Sequence, residues 1–131
     1  MTQRNAANSL ILLVFPAAFC AAGAAFADGA GGESEGQELF KRQCAACHTL
    51  DPEAPPRQGP PLHDIFGRKA GTIEGFKYSS GLAGAEVVWD EESLDAWLTN
   101  PQKMIKGTFM SYRQAKPEVR EKVIAFLKHI E

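Results

Sequence analysis

Cys44, Cys47 and His48 fall within the stretch CAACHTL, residues 44–50. Two thiols three positions apart, with an imidazole directly after the second, suit a redox dithiol, half of a zinc site or the covalent attachment of haem. A plain disulfide between them would close too small a loop to stabilise much. A redox dithiol should follow a strand in a βαβ unit, and no such alternation is visible. Structural zinc needs four ligands. Beyond these three residues only His63 or His129 could complete the set, with no second pair at finger spacing. Haem attachment accounts for all three residues at once. In a helical turn, positions i, i+3 and i+4 project from one side. Both thiols can then add to the haem vinyl groups while His48 reaches the iron.

A six-coordinate iron takes a second axial ligand, and Met110 is the candidate. Met104 falls in a predicted short helix. Met110 follows a Gly-Thr loop and precedes the last helix, so its thioether can approach the iron from outside. His63 is the rival, but Pro60-Pro61 place it close after the attachment segment, and a loop or solvent role suits it better. His129 sits near the end of the last helix, where a histidine complements the negative helix end, and it is assigned no ligand role.

The elements that must hold these residues are helical. A first helix is expected from Ser34–Gly36 up to the cysteines, carrying Leu39 and Phe40. DPEAPPRQGPP (51–61) is too proline-rich for helix and reads as irregular loop. Residues 66–84 are glycine-rich loop with at most a short helix around Ser79–Ala83. A clear helix begins after Asp90, a good N-cap, with Glu91 and Glu92 on the positive helix start. Trp89 and Leu94 could staple its entry, and Asn100-Pro101 ends it. PQKMI then forms a short helix that stops at Gly107. The last helix opens with Pro117, and Val119, Val123, Phe126, Leu127 and Ile130 form its apolar face. No repeat and no sustained strand alternation is visible, so the fold class is all-α.

Residues 1–27 read as a cleaved signal peptide: Arg4, an 18-residue apolar run from Leu10, and Ala25-Phe26-Ala27 before Asp28. Cys20 lies inside that run and has no role in the mature chain. An uncleaved membrane anchor is the alternative. Export places the protein in the periplasm. Residues 28–35 are a flexible lead-in, and 36–131 form one domain. Removing Arg4 shifts the formal net charge from -2 to -3, which argues against nucleic acid as a partner. A domain this small buries a limited share of its surface, so a bound apolar cofactor would help fill its core.

From Gly36 to the C-terminus the chain resembles the small class I c-type cytochromes, of the soluble mitochondrial and photosynthetic-bacterial kind. Besides the CAACH motif, the strings FGRKAGTIEGFKYS and WDEESLDAWLTNP carry the resemblance. It implies a small helical domain with long loops wrapped around one covalently attached haem c. It implies that Gly36 and Phe40 pack on Phe126-Leu127, and that the Pro60 carbonyl accepts a hydrogen bond from the His48 ring. By the same resemblance Arg68, Tyr78 and Trp89, with Thr108 as a fourth candidate, would hydrogen-bond the haem propionates. Trp97 and Leu98 read as pocket wall. The family's Pro-Gly-Thr-Lys-Met is Lys106-Gly107-Thr108-Phe109-Met110 here, and Lys106 brings a second potential ligand close to Met110.

The function expected on these grounds is one-electron transfer, not enzymatic turnover, by a monomer with His48 and Met110 as iron ligands. The redox partners would be proteins such as a membrane cytochrome complex, an oxidase, a reaction centre or a dehydrogenase. Lys41, Arg42, Lys69, Lys103, Lys106, Arg113 and Lys116 would ring the exposed haem edge and steer docking. Two alternatives are a haem subunit docked to a larger oxidoreductase, and an open-site haem protein with peroxidase or gas-binding behaviour.

Overall fold

The computed structural model describes residues 29–130, and side chains from Glu35. The predicted signal segment therefore lies outside the described residues. Among the described residues five helices follow in order: α1 (Gly29–Gln43), α2 (Ser80–Ala83), α3 (Glu91–Thr99), α4 (Pro101–Met104) and α5 (Pro117–Lys128). Among the described residues extended pairing is limited to one isolated antiparallel bridge, Lys69 with Val88. The architecture is all-α, as expected. The first helix begins at Gly29, earlier than the expected start at Ser34–Gly36 and within the expected lead-in of 28–35. Nucleating a helix is the unfavourable step and each added residue gains a bond. Ala30, Glu33 and Glu35 are good helix formers, so a turn anchored by Phe40 extends upstream despite the glycines.

The core is the crossing of α1 and α5. Phe40 and Phe126 are both buried, with ring centroids 5.8 Å apart. Gly36 lies at the closest approach: a Cβ there would be 2.3 Å from the Lys122 carbonyl oxygen and 2.6 Å from Phe126 Cβ. Only a residue with no side chain lets the two backbones come this near. Lys122 also pairs with Glu35 at 2.7 Å.

Helix α3 packs on the same core through Leu94, Trp97 and Leu98. Asp90 caps it, its side chain accepting from the Ser93 N–H at 2.8 Å, while the Ser93 hydroxyl accepts from the Asp90 N–H at 2.8 Å. Two orphan amides at the helix start are thereby satisfied. Burial of Arg120 on α5 is balanced by a fork onto Asp95 of α3, with Nε to Oδ1 at 2.6 Å and a further N–H to Oδ2 at 3.3 Å. Its remaining N–H groups reach the carbonyls of Gln114 and Ala115. One side chain thus joins α3, α5 and the segment that follows Met110.

Between α1 and α3 the chain, apart from the single turn of α2, is loop, held by specific bonds and not by regular pairing. Trp89 accepts from the Gly67 N–H at 2.8 Å and donates to the Arg68 carbonyl at 2.9 Å, and the Ala70 N–H reaches the Val87 carbonyl at 2.8 Å. The Arg68 guanidinium ties the loop from below, donating to the carbonyls of His63 at 2.7 Å and Pro61 at 3.0 Å.

Candidate haem-binding site

The CAACH segment continues the last turn of α1. The amides of Cys44 and Ala45 reach the Phe40 carbonyl at 2.8 and 3.0 Å, and those of Cys47 and His48 reach the Cys44 carbonyl at 3.0 and 2.9 Å. This turn brings Cys44, Cys47 and His48 onto the wall of one cavity of about 430 Å³, within the ordinary size range of cofactor sites. Met110 and Thr108 line the same cavity from the loop after α4, and Pro60, Phe76, Tyr78 and Leu82 complete much of its wall. A smaller adjoining cavity is shared by His48, Pro60, Tyr78 and Leu82 and reaches Arg68, Trp89 and Trp97.

His48 is oriented by one bond. Its Nδ1 lies 2.8 Å from the Pro60 carbonyl oxygen. A carbonyl can only accept, so Nδ1 carries the proton and Nε2 keeps its lone pair. Burial lowers the His48 pKa, partly opposed by that same bond, so the ring is held neutral as a metal ligand requires. Gly59 packs against it so tightly that an added Cβ would lie 2.3 Å from His48 Cε1 and 2.6 Å from Nδ1. Gly59→Ala is therefore expected to break the bond to Pro60 and weaken the ligand, seen as a perturbed proximal-histidine proton spectrum and a shifted reduction potential.

Cys44 and Cys47 are both free thiols. Burial, with Cys47 adding to it, pushes the Cys44 thiol up to about 11, so it stays protonated near neutral pH. The Cys47 Sγ–H donates to Gln58 Oε1 at 3.2 Å. A cavity with two thiols and a neutral imidazole on one wall, a thioether on another and an otherwise mainly apolar lining fits a covalently attached haem.

A family model described as Cytochrome c matches residues 33–131. The chain belongs to the cytochrome c family. Similar proteins include the cytochrome c of Nigella damascena, 41% identical over 100 residues that span 76% of this chain and 90% of that protein. That of Ginkgo biloba is 41% identical over 99 residues, covering 75% and 88% of the two chains. That of Kluyveromyces lactis is 40% identical over 88 residues, covering 67% and 80%. As a member of this family the chain is a haem-based electron carrier, not an enzyme, and holds one covalently attached haem c. It works with redox partners.

The relatives also correct one expectation. They come from plants, an alga and a yeast, and eukaryotes have no periplasm, so the periplasmic placement is overturned. An apolar amino-terminal run is physically a signal to enter a membrane. It carries no information on which membrane, so export alone does not place the protein in a periplasm.

The other residues singled out in the sequence divide clearly. Met104 packs against the hydrophobic core and lines neither cavity, and neither do Lys106 or His63. His63 Nδ1 is buried without a hydrogen-bond partner. Arg68 and Trp89 face the smaller cavity only. Tyr78 borders both, and its hydroxyl accepts from the Ile73 N–H at 3.4 Å. Of the basic set, Lys41 pairs with Glu38 and Lys69 with Glu86, each at 2.9 Å.

Trp97 does more than form wall. Its indole N–H points at Met110 Sδ, 3.1 Å away. A buried indole needs an acceptor, and that need was the one signal in the sequence for this contact. Tyr112 was missed as well. Its hydroxyl donates to Gln43 Oε1 at the end of α1, and Gln114 Nε2 reaches the same oxygen at 2.9 Å. This network fastens the segment after Met110 to the turn that bears Cys44.

Proposed function

We propose that this chain carries single electrons between proteins with His48 and Met110 as axial ligands to a haem attached through Cys44 and Cys47. The observation that supports this reading is the convergence of these four side chains on one cavity from two segments far apart in sequence. When bound, the haem supplies the ferrous–ferric couple. The chain's own residues set how that couple behaves. Pro60 fixes the His48 tautomer and makes the imidazole more electron-rich. The Trp97 N–H orients the Met110 sulfur. A thioether ligand favours the ferrous state and raises the potential, and the apolar wall from Leu82 and Phe76 does so too by disfavouring the extra charge of ferric iron.

Tyr78, Arg68, Trp89 and Thr108 are the donors proposed for the two propionates, since buried carboxylates need hydrogen-bond partners. Burial lowers the Arg68 pKa while Tyr78 and Asp64 act against it. Burial raises the Tyr78 pKa, so its hydroxyl stays a donor at neutral pH. Docking is proposed on an acidic surface of a membrane cytochrome complex, oxidase, reaction centre or dehydrogenase. Arg42, Lys103, Lys106, Arg113 and Lys116 supply the steering charge, because Lys41 and Lys69 are drawn to glutamates.

The test is the absorption spectrum of the oxidised holoprotein. A weak far-red band from sulfur-to-ferric-iron charge transfer is expected, together with reversible one-electron titration. Absence of that band would remove Met110 as the ligand.

A further inference from the structure

The loop that carries Met110 has few backbone restraints of its own. Position 106 is a lysine, whose φ is free where a proline would fix it, and Gly107 adopts a positive φ of 78° with open space where a Cβ would stand. The loop's own bonds are long: the Thr108 N–H to the Ile105 carbonyl at 3.4 Å, and the Met110 N–H to Thr108 Oγ1 at 3.4 Å. The exposed Phe109 side chain contributes little packing, being 76% accessible.

One side chain from outside the loop bridges it. Gln102, on α4, directs Nε2 at the Thr108 carbonyl, 2.6 Å away, and at the Met110 carbonyl, 3.2 Å away. Both partners are acceptors, so only the amide NH2 group can face them, and its two protons match the two oxygens. The base of this brace is itself fixed. Pro101 is fully buried, and the Asn100 side chain caps α4 by accepting from the Lys103 N–H at 3.1 Å.

We infer that Gln102 is a positioning residue that clamps the Met110 loop shut and so holds the sulfur on the iron, taking over the restraint that a proline at position 106 would give. The inference rests on the His48/Met110 reading. Gln102 does not touch the iron or the thioether. It acts on the two carbonyls that flank Phe109 and set the direction of the Met110 backbone. Losing the clamp raises the population of loop-open molecules, and an external ligand binds only those molecules.

The experiment measures imidazole binding to the ferric holoprotein, together with the far-red band, in wild type, Gln102→Ala, Gln102→Glu and Met110→Ala. Losing two hydrogen bonds predicts about a ten- to thirtyfold gain in apparent imidazole affinity for Gln102→Ala. Gln102→Glu keeps the shape but turns oxygens toward oxygens, so its gain should equal or exceed that of the alanine variant. A residue that only filled space would make Gln102→Glu behave as wild type, and that result overturns the clamp. So does an unchanged affinity in both Gln102 variants while Met110→Ala abolishes the band. A far-red band that survives Met110→Ala sinks the axial-ligand reading and the clamp together.

Discussion

Met110→Ala should leave haem attachment intact, abolish the far-red band and lower the reduction potential by a few hundred millivolts. Axial ligation can move haem potentials over roughly 0.8 V, so the ligand pair outweighs any single change in the pocket wall. The sulfur stabilises ferrous iron, and removing it favours the ferric state. The same change opens a coordination position, so the reduced variant should bind carbon monoxide where the wild type does not. Two effects compete to explain such a result, because Met110 also packs against the hydrophobic core. Met110→Leu separates them. Leucine keeps most of the volume and has no sulfur, so the potential should fall as far as in the alanine variant while the unfolding midpoint changes less. If the leucine variant kept the wild-type potential, packing would be the cause and Met110 would not be a ligand. Trp97 gives a further internal check. Its indole N–H loses the sulfur acceptor in both variants, so its fluorescence should respond equally in each.

The parts of this site that were legible in the sequence are those written in local chemistry. The CAACH spacing was enough for a turn that sets three side chains on one wall, because i, i+3 and i+4 share a face whatever surrounds them. Asp90 marked the start of α3, and Pro117 that of α5, through caps that involve only neighbouring residues. The partner in the Asp90 capping box was less obvious. It is the Ser93 hydroxyl, where a glutamate or glutamine is the usual sign. What could not be read are contacts made across the fold. Prolines excluded helix from 51–61, but nothing local says that Arg68 would gather the carbonyls of Pro61 and His63. No periodicity points the Trp97 indole at Met110, or the Gln102 amide at two carbonyls several residues downstream. The upstream extent of α1 is not legible locally, because its glycines disfavour helix one by one while adding residues to an existing helix is cooperative.

Gly36→Val should lower the unfolding free energy by about 3 kcal/mol or more, which for a domain of this size is roughly 12 °C or more in midpoint temperature. The neighbours of Gly36 leave little room to adjust. An added Cβ meets the Lys122 carbonyl oxygen at 2.3 Å, which is backbone, and Phe126 Cβ at 2.6 Å, the atom nearest the backbone. Neither is the far end of a flexible chain, so α1 and α5 must move apart. Replacing glycine in a helix normally brings a propensity gain of up to about 1 kcal/mol, and valine recovers little of it because its branched side chain is stiff in a helix. Steric separation therefore wins. Moving α1 also loosens the Phe40–Phe126 contact and shifts the turn that carries Cys44, Cys47 and His48, since that turn hangs on the Phe40 carbonyl. The variant should accordingly lose the ordered His48–Pro60 bond at a lower temperature than it loses overall helix content. Following the proximal-histidine proton signal and the far-ultraviolet circular dichroism on one temperature ramp checks this order. Coincident loss of both would show that the crossing stabilises the domain as a whole without specifically setting the haem-binding turn.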